Sequence, residues 1–273
     1  MTYFGFLAIF IGIPLLIVAG LLWRDRRHGR TLPAALQSWS PWTVIWGHVV
    51  VAVAYTSPWD NYLVATQVWW YDPDLVTGLV IGWVPIEEYT FFVVQTLLVG
   101  MWLVWLAPRL VAGEAEPLAP ERWRWISTAV LGVIWLGSVI VLLVGWRPGT
   151  YLGLELGWAL PPIMLQTAFG ADILWRYRRL VATVIVTSTL YLSATDALAI
   201  ASGTWTINPE QTVQIYLGGL LPLEEFVFFL ITSTLVAFGV TLVLARASQA
   251  RAEPLLRRDR RPTTDDRRLT TDD

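Results

Sequence analysis

The chain contains no cysteine and no lysine; all nineteen basic residues are arginine. Without thiols, disulfides, thiol redox chemistry and zinc–thiolate sites are excluded. Two histidines, His28 and His48, are too few and too scattered for a histidine-rich metal cluster. Neither GxGxxG nor GxxxxGK[ST] occurs, so nothing points to a dinucleotide or nucleoside triphosphate site. Charge is also scarce: 15% of the 273 residues are charged against 55% apolar. A soluble fold of this size needs a far larger polar surface. A soluble enzyme, a nucleic-acid-binding module and a large extramembrane domain are thereby excluded.

What the chain has instead is seven apolar stretches of about 18 residues or more, the length that crosses roughly 30 Å of hydrocarbon. They run over about Tyr3–Trp23, Trp42–Tyr55 (reaching back toward Trp39), Val76–Leu106, Trp125–Val144, Tyr151–Trp175, Leu180–Ala201 and Val213–Ala245. The third contains Pro85 and the seventh Pro222. The expected fold is all-α, a polytopic membrane protein with seven transmembrane helices. Seven helices suggest a retinal protein, but a retinal Schiff base needs a lysine amine. The first span carries its basic cluster, Arg24-Asp25-Arg26-Arg27, on the C-terminal side, the opposite of a signal peptide, and is expected to be retained.

Arginine sets the direction. Arg24, Arg26, Arg27 and Arg30 follow the first span, Arg109, Arg122 and Arg124 the third, and Arg176, Arg178 and Arg179 the fifth. Eight more lie between Arg246 and Arg268, whereas Arg147 alone falls on the other side. The positive-inside rule places the N-terminus outside and the C-terminus in the cytoplasm. The tail over 246–273 mixes arginine with aspartate, threonine and proline, lacks apolar periodicity, and is expected to be disordered.

The sequence also repeats itself. Pro85-Ile86-Glu87-Glu88-Tyr89-Thr90-Phe91-Phe92 matches Pro222-Leu223-Glu224-Glu225-Phe226-Val227-Phe228-Phe229. Asp60 and Asp196 precede the first glutamates by 27 and 28 residues. Between them, Trp69-x-x-Asp72-Pro73-Asp74 parallels Trp205-x-x-Asn208-Pro209-Glu210, and Tyr3-x-Gly5 with Pro14 parallels Tyr151-x-Gly153 with Pro162. This divides the chain into a three-helix repeat over 1–107, a linker with the fourth helix over 108–148, and a second repeat over 149–245. One linker helix between the repeats makes them parallel, related by an axis along the membrane normal.

On this reading each glutamate pair falls ten to twelve residues into its helix, about 15 Å deep and near the midplane. Ionised acids there cost about 2.5–3.5 kcal/mol each, and neither PxEE helix core holds an arginine to pair with them. The cheaper state keeps some protonated, and a neutral carboxyl beside an ionised one is an acid/base pair. Adjacent helix residues point about 100° apart, so within each pair one glutamate faces the cavity and a neighbouring helix holds the other. Asp60, Asn61 and Asp196 are candidates for polar support. Pro85 and Pro222 are expected to kink their helices and free a carbonyl for a protonated acid. Tyr89, Phe91, Phe92, Phe226, Phe228 and Phe229 cluster beside the acids, where aromatic faces either shelter a carbocation or simply pack the helices. Glu155 has an apolar counterpart in the first repeat, and His48 reads as a hydrogen-bonded packing residue.

The duplicated PxEE, the upstream Pro58-Trp59-Asp60-Asn61-Tyr62 and the seven spans resemble the heterodimer-type carotenoid cyclases over residues 1 to about 245. In that family two half-size membrane polypeptides, or one fused chain, form lycopene β-cyclase, and this chain looks like the fused form. The resemblance implies a multi-pass protein of a prokaryotic cell membrane. It takes lycopene and γ-carotene from the bilayer among membrane lipids, with no nucleic acid, metal or cofactor. It also implies redox-neutral closure of the linear ends of lycopene to β-ionone rings, with catalytic carboxyls at Glu87, Glu88, Glu224 and Glu225. The second repeat departs from the pattern, reading Ser193-Ala194-Thr195-Asp196-Ala197 where the first has PWDNY, so an equal role for Asp196 does not follow. Relatives that cyclise C50 carotenoids or form ε rings share the pattern. Two further classes stay open: a proton-coupled transporter, which also uses repeats and midplane carboxyls, and a non-catalytic carotenoid-binding protein.

Overall fold

A computed structural model describes residues 1–111 and 117–258. Seven long helices dominate: α1 Tyr3–Arg27, α2 Pro41–Ala65, α3 Ile86–Leu110, α4 Arg122–Val144, α5 Thr150–Arg176, α6 Arg178–Ala201 and α7 Leu223–Leu244. Local chemistry sets their ends. The Thr2 hydroxyl caps α1 by accepting from the Gly5 N–H, Pro41 opens α2 where no N–H is needed, and Gly145 closes α4 in the left-handed region. A π-helical turn over Ala8–Gly12 lies within α1, and α5 bends at Gly170, whose backbone leaves the helical region.

Among the described residues, α1, α3, α4, α6 and α7 are long and apolar enough to cross a membrane. Helices α2 and α5, of 25 and 27 residues, interrupt their apolar runs with Thr, Trp, Tyr and Pro. The chain is thus an all-α membrane protein. Its outer wall matches: Leu16, Leu143, Val144 and Leu165 are each more than 70% exposed, and only Ser138 of α4 is buried. The centre is the pair α3 and α7, which pack on each other, α3 also against α1, α2 and α6, and α7 against α2, α5 and α6. Helix α4 packs chiefly on α5.

Two expectations fail at the PxEE segments. The third and seventh spans do not begin at Val76 and Val213: a β-hairpin precedes each helix, β2 Val80–Ile81 with β3 Val84–Pro85, and β5 Tyr216–Leu217 with β6 Leu221–Pro222. Pro85 and Pro222 therefore do not kink a helix or free a helical carbonyl. Each is the extended residue just before the first turn, where its fixed φ and missing N–H are tolerated. The four glutamates consequently lie in the first turn of α3 and α7, not ten to twelve residues inside, where their charge suits the positive end of the helix dipole. The one-residue difference in Asp-to-Glu spacing comes from the hairpin turns, Gly82-Trp83 in the first and Gly218-Gly219-Leu220 in the second.

A third ribbon joins the halves. β1 (Trp69–Tyr71) and β4 (Trp205–Ile207) pair antiparallel with Trp70 opposite Thr206, Trp69 opposite Ile207 and Tyr71 opposite Trp205. Exchanging repeat-matched residues maps this register onto itself about Trp70 and Thr206. At the other end of the bundle Arg109 of α3 grips Asp25 of α1 at 2.7 Å, and Arg251 grips Asp172 of α5 through two bonds of 2.5 and 2.9 Å. Arg251 belongs to α8, Arg246–Arg258, so the start of the tail is helical rather than disordered: the ion pair fixes it to the bundle. Residues 259–273 lie outside the described residues.

Candidate active site

The glutamate pairs divide as the 100° rule requires, but loop backbone, not a neighbouring helix, holds the outer member of each. The Thr77 N–H donates to Glu87 Oε1 at 2.6 Å, and the Val213 N–H donates to Glu224 Oε1 at 2.7 Å. Glu87 and Glu224 thus anchor the loop before each hairpin. Glu88 and Glu225 point the other way, into a small cavity of about 40 Å³ under the β1–β4 ribbon. Its walls come from both halves: Tyr3, Tyr71 and Phe91 around Glu88, Tyr151, Phe228 and Phe229 around Glu225, with Asp196 and Trp205 beside them.

Phenols hold the two carboxyls. Tyr3 Oη donates to Glu88 Oε2 at 2.5 Å, and its counterpart Tyr151 Oη donates to Glu225 Oε1 at 2.7 Å. Glu88 takes a second donor, Tyr71 Oη, on Oε2 at 3.1 Å; the matching position in the second half is Ile207. Burial, with Asp60 and Glu88 opposite, pushes the Tyr71 hydroxyl well above the usual phenol range, so it remains a donor. The halves interlock through aromatics: Trp205 lies 4.9 Å from the Tyr3 ring, while Trp69 meets Tyr151 edge-on at 5.2 Å.

The support residues separate. Asp196 accepts from Trp205 Nε1 at 3.0 Å. Asp60 is fully buried, and neither of its oxygens has a hydrogen-bond partner among the described residues. Asn61 does not reach the glutamates. Its Oδ1 accepts from the Trp83 N–H at 2.7 Å and its Nδ2 donates to Tyr89 Oη at 2.9 Å, which clamps the first hairpin. Tyr89 in turn donates to the Ile81 carbonyl, so it too belongs to that clamp and not to the cavity. Phe226, its counterpart, is half-buried and lines neither cavity. Of the six aromatics, Phe91, Phe228 and Phe229 wall the acid cavity, and Phe92 and Phe228 wall a second, larger one.

That larger cavity, about 600 Å³, is an apolar groove between α2, α3, α5 and α7. It follows α2 from Thr43 to Thr56 and α7 from Phe228 to Val243, about 20 Å of helix. Gly47 and His48 line it, and a Cβ on the neighbouring Gly239 would run into His48 Nε2. His48 itself bonds the Val44 carbonyl at 2.8 Å, as a packing histidine does. Phe228 stands in both linings, so it is the partition between groove and carboxyls. Stacked Trp59 and Trp158, 4.5 Å apart, back it.

Sequence reasoning did not assign Tyr3, Tyr71, Tyr151 or Trp205 to the site. The signal existed for two of them: Tyr3 and Tyr151 open the matched Tyr-x-Gly segments, and a buried phenol recurring opposite a recurring acid implies a hydrogen bond.

In this helical membrane protein, two buried, phenol-bound carboxyls from matched segments line one cavity beside an apolar groove. The chain belongs to the lycopene cyclase family, whose profile matches residues 1–106 and 148–243. It is 39% identical over 250 residues to the lycopene beta-cyclase of Halobacterium salinarum, covering 90% of this chain and 98% of that protein. It is 35% identical over 203 residues to the bifunctional lycopene cyclase/phytoene synthase of Podospora anserina, covering 71% of this chain but 34% of the fungal protein. The corresponding Aspergillus niger protein is 34% identical over 198 residues, covering 70% of this chain and 33% of that protein. No solved structure matches.

Proposed function

We propose that this chain is a lycopene β-cyclase that closes the linear ends of lycopene to β-ionone rings, through γ-carotene to β-carotene. The observation that carries the reading is the meeting of Glu88 and Glu225 in one cavity that Phe228 separates from an apolar groove. Lycopene is a hydrocarbon of about bilayer length, offers no hydrogen-bonding handle, and enters from lipid. The groove takes its chain, and the terminal isoprene unit passes Phe228 to reach the carboxyls.

Cyclisation needs a proton at the terminal alkene and its removal later. One carboxyl breaks its O–H bond as a C–H bond forms. The neighbouring double bond attacks the cation and closes the six-membered ring. The second carboxyl takes a proton from the carbon beside the new cation, and those electrons form the ring alkene. Protons and electrons balance, so no oxidant is consumed. Phe91, Phe228 and Phe229 present ring faces to the cation, an attraction worth about 2 kcal/mol or more when desolvated. Glu87 and Glu224 serve the site by fixing the loops behind it, and Asp60 and Asp196 supply the polar surroundings.

Supporting features complete the arrangement. The matched bonds to Glu88 and Glu225 and the self-matching β1–β4 register favour two parallel repeats about an axis along the membrane normal. Helix α4, which falls in the segment the family profile skips, is then the linker. All seven long helices cross the membrane in this reading, with the N-terminus and β ribbon outside and α8 in the cytoplasm. The carboxyls sit toward the outer end of the bundle.

The test is expression in lycopene-producing bacteria with product chromatography. Wild type converts lycopene to β-carotene, and Glu88→Gln and Glu225→Gln each leave lycopene unconverted at normal membrane levels. Normal β-carotene from both variants would overturn the assignment.

A further inference from the structure

A second apolar groove, about 300 Å³ and half the volume of the one along α2, lies between α1, α3 and α6. Seven of its eight lining residues are the sequence counterparts of residues that line the larger groove, by the alignments that pair Tyr3 with Tyr151, Asp60 with Asp196 and Glu88 with Glu225. Pro14 and Val18 of α1 match Pro162 and Gln166, and Leu98 of α3 matches Leu235. Thr187, Ser188, Tyr191 and Leu192 of α6 match Val51, Ala52, Tyr55 and Thr56. The walls are braced alike: Tyr191 Oη donates to the Phe10 carbonyl at 2.6 Å, and Tyr55 Oη donates to the carbonyl of Trp158, the matched position, at 2.8 Å. The eighth residue is Trp102, whose counterpart Gly239 has no side chain; its indole donates to Thr187 Oγ1 at 2.9 Å and occupies part of the space. The groove stops short of the carboxyls. Phe228 lines both the larger groove and the acid cavity, but its counterpart Phe91 walls the acid cavity alone. Among the described residues none lines both the smaller groove and that cavity.

We propose that this groove is a second binding site for a linear polyene hydrocarbon, one that holds the chain without reacting it. The inference rests on the reading of the larger groove as the polyene site, since a wall repeated position for position presents a similar shape. The lining carries no charged residue, and Pro14, Leu98 and Ser188 lie near the middle of their helices, so nothing there fixes a polar headgroup. Thr187 and Tyr191 at the rim are exposed, so in a membrane the mouth faces lipid, where a polyene dissolves. Between two apolar media the gain on binding comes from close packing and not from leaving water. A stiff conjugated chain gives up little conformational freedom in a preformed groove, whereas a flexible acyl chain gives up much more. The wall therefore favours the polyene over the tails of the surrounding lipids. A chain held there keeps its terminus away from Glu88 and Glu225. The protein then carries two polyenes, one reacting and one held beside it.

The test counts lycopene bound to the purified Glu225→Gln protein in detergent, by visible absorbance after free pigment is removed. Two polyenes per chain are expected. Adding Ser188→Phe fills the smaller groove and should leave one; Thr187→Phe closes its exposed mouth and serves where Ser188→Phe fails to fold. In the otherwise wild-type protein, each of these two substitutions should leave the kcat for lycopene unchanged. One polyene per chain in Glu225→Gln, or two in the blocked variants, overturns the proposal. Loss of conversion along with the second polyene also overturns it, because the groove would then feed the carboxyls. So does a second polyene displaced by excess phospholipid while the first is retained, which would make the groove an acyl-chain site. A Glu225→Gln protein that binds no lycopene refutes the polyene reading of the larger groove itself, a separate outcome.

Discussion

The hydroxyls of Tyr3 and Tyr71 converge on a single oxygen, Oε2 of Glu88, from an N-terminal helix and a β ribbon that are 68 residues apart in the chain. This double donation makes the first-half carboxyl a different group from its second-half counterpart. It also makes the phenols the first place to perturb.

Tyr151→Phe leaves Glu225 with no side-chain donor among the described residues, whereas Tyr71→Phe leaves Glu88 with Tyr3. A buried acceptor stripped of its partner costs about 1–3 kcal/mol. Tyr151→Phe should therefore slow cyclisation and lower the melting temperature more than Tyr71→Phe does. Initial rates in proteoliposomes and thermal unfolding in detergent check the order.

Phe228→Ala removes the partition between groove and carboxyls. Truncating a buried phenylalanine costs about 3–5 kcal/mol of stability. In the protein that folds, the ring cation loses one aromatic face, so the initial rate of β-carotene formation should fall, as product chromatography over time will show.

Gly239→Ala tests the groove. The added methyl meets His48 and pushes the imidazole into the space the polyene needs. Lycopene conversion should fall with a raised KM while membrane levels hold; an unchanged KM would show that substrate does not lie there.

Gly82 turns the first hairpin at a φ of +70°, and any Cβ there runs into Asn61 Oδ1. Gly82→Ala should break the clamp onto Asn61 and cost about 1–3 kcal/mol. Asn61→Ala should cost a similar amount, and the double variant less than the sum, since both break one contact. Thermal unfolding of the three proteins reads this out.

Arg251→Ala undocks α8 from Asp172. Asp172 is buried, so stripping it of its bidentate partner should cost about 1–3 kcal/mol, with cyclisation unchanged. Limited proteolysis should cut earlier in the chain, near Ala245.

Apolar runs made the helices legible, because a chain with so little charge has one solvent it can fold in. The repeat made it legible that one glutamate of each pair shares a cavity with its counterpart, since matched segments occupy matched places, but not which one. Depth was misread. A run such as Leu79-Val80-Ile81 is equally apolar as helix or as hairpin, and only the proline before each glutamate pair marks the true start of α3 and α7. Tyr71 was hidden for a different reason. Its bond to Glu88 depends on the pairing of β1 with β4, a contact between halves that no local pattern encodes. The helical start of the tail was missed because its anchor, Asp172, lies 79 residues away.

Phe228 marks where the groove meets the acid cavity. In the proposed binding mode, a long polyene lying along α2 with its tip beneath the ribbon leaves its opposite tip at the far side of the membrane, beyond reach of either carboxyl. To receive its second ring the molecule must back out, turn end for end among the lipids and return. The half-finished compound is therefore a free traveller in the bilayer, open to capture by any other enzyme that meets it there.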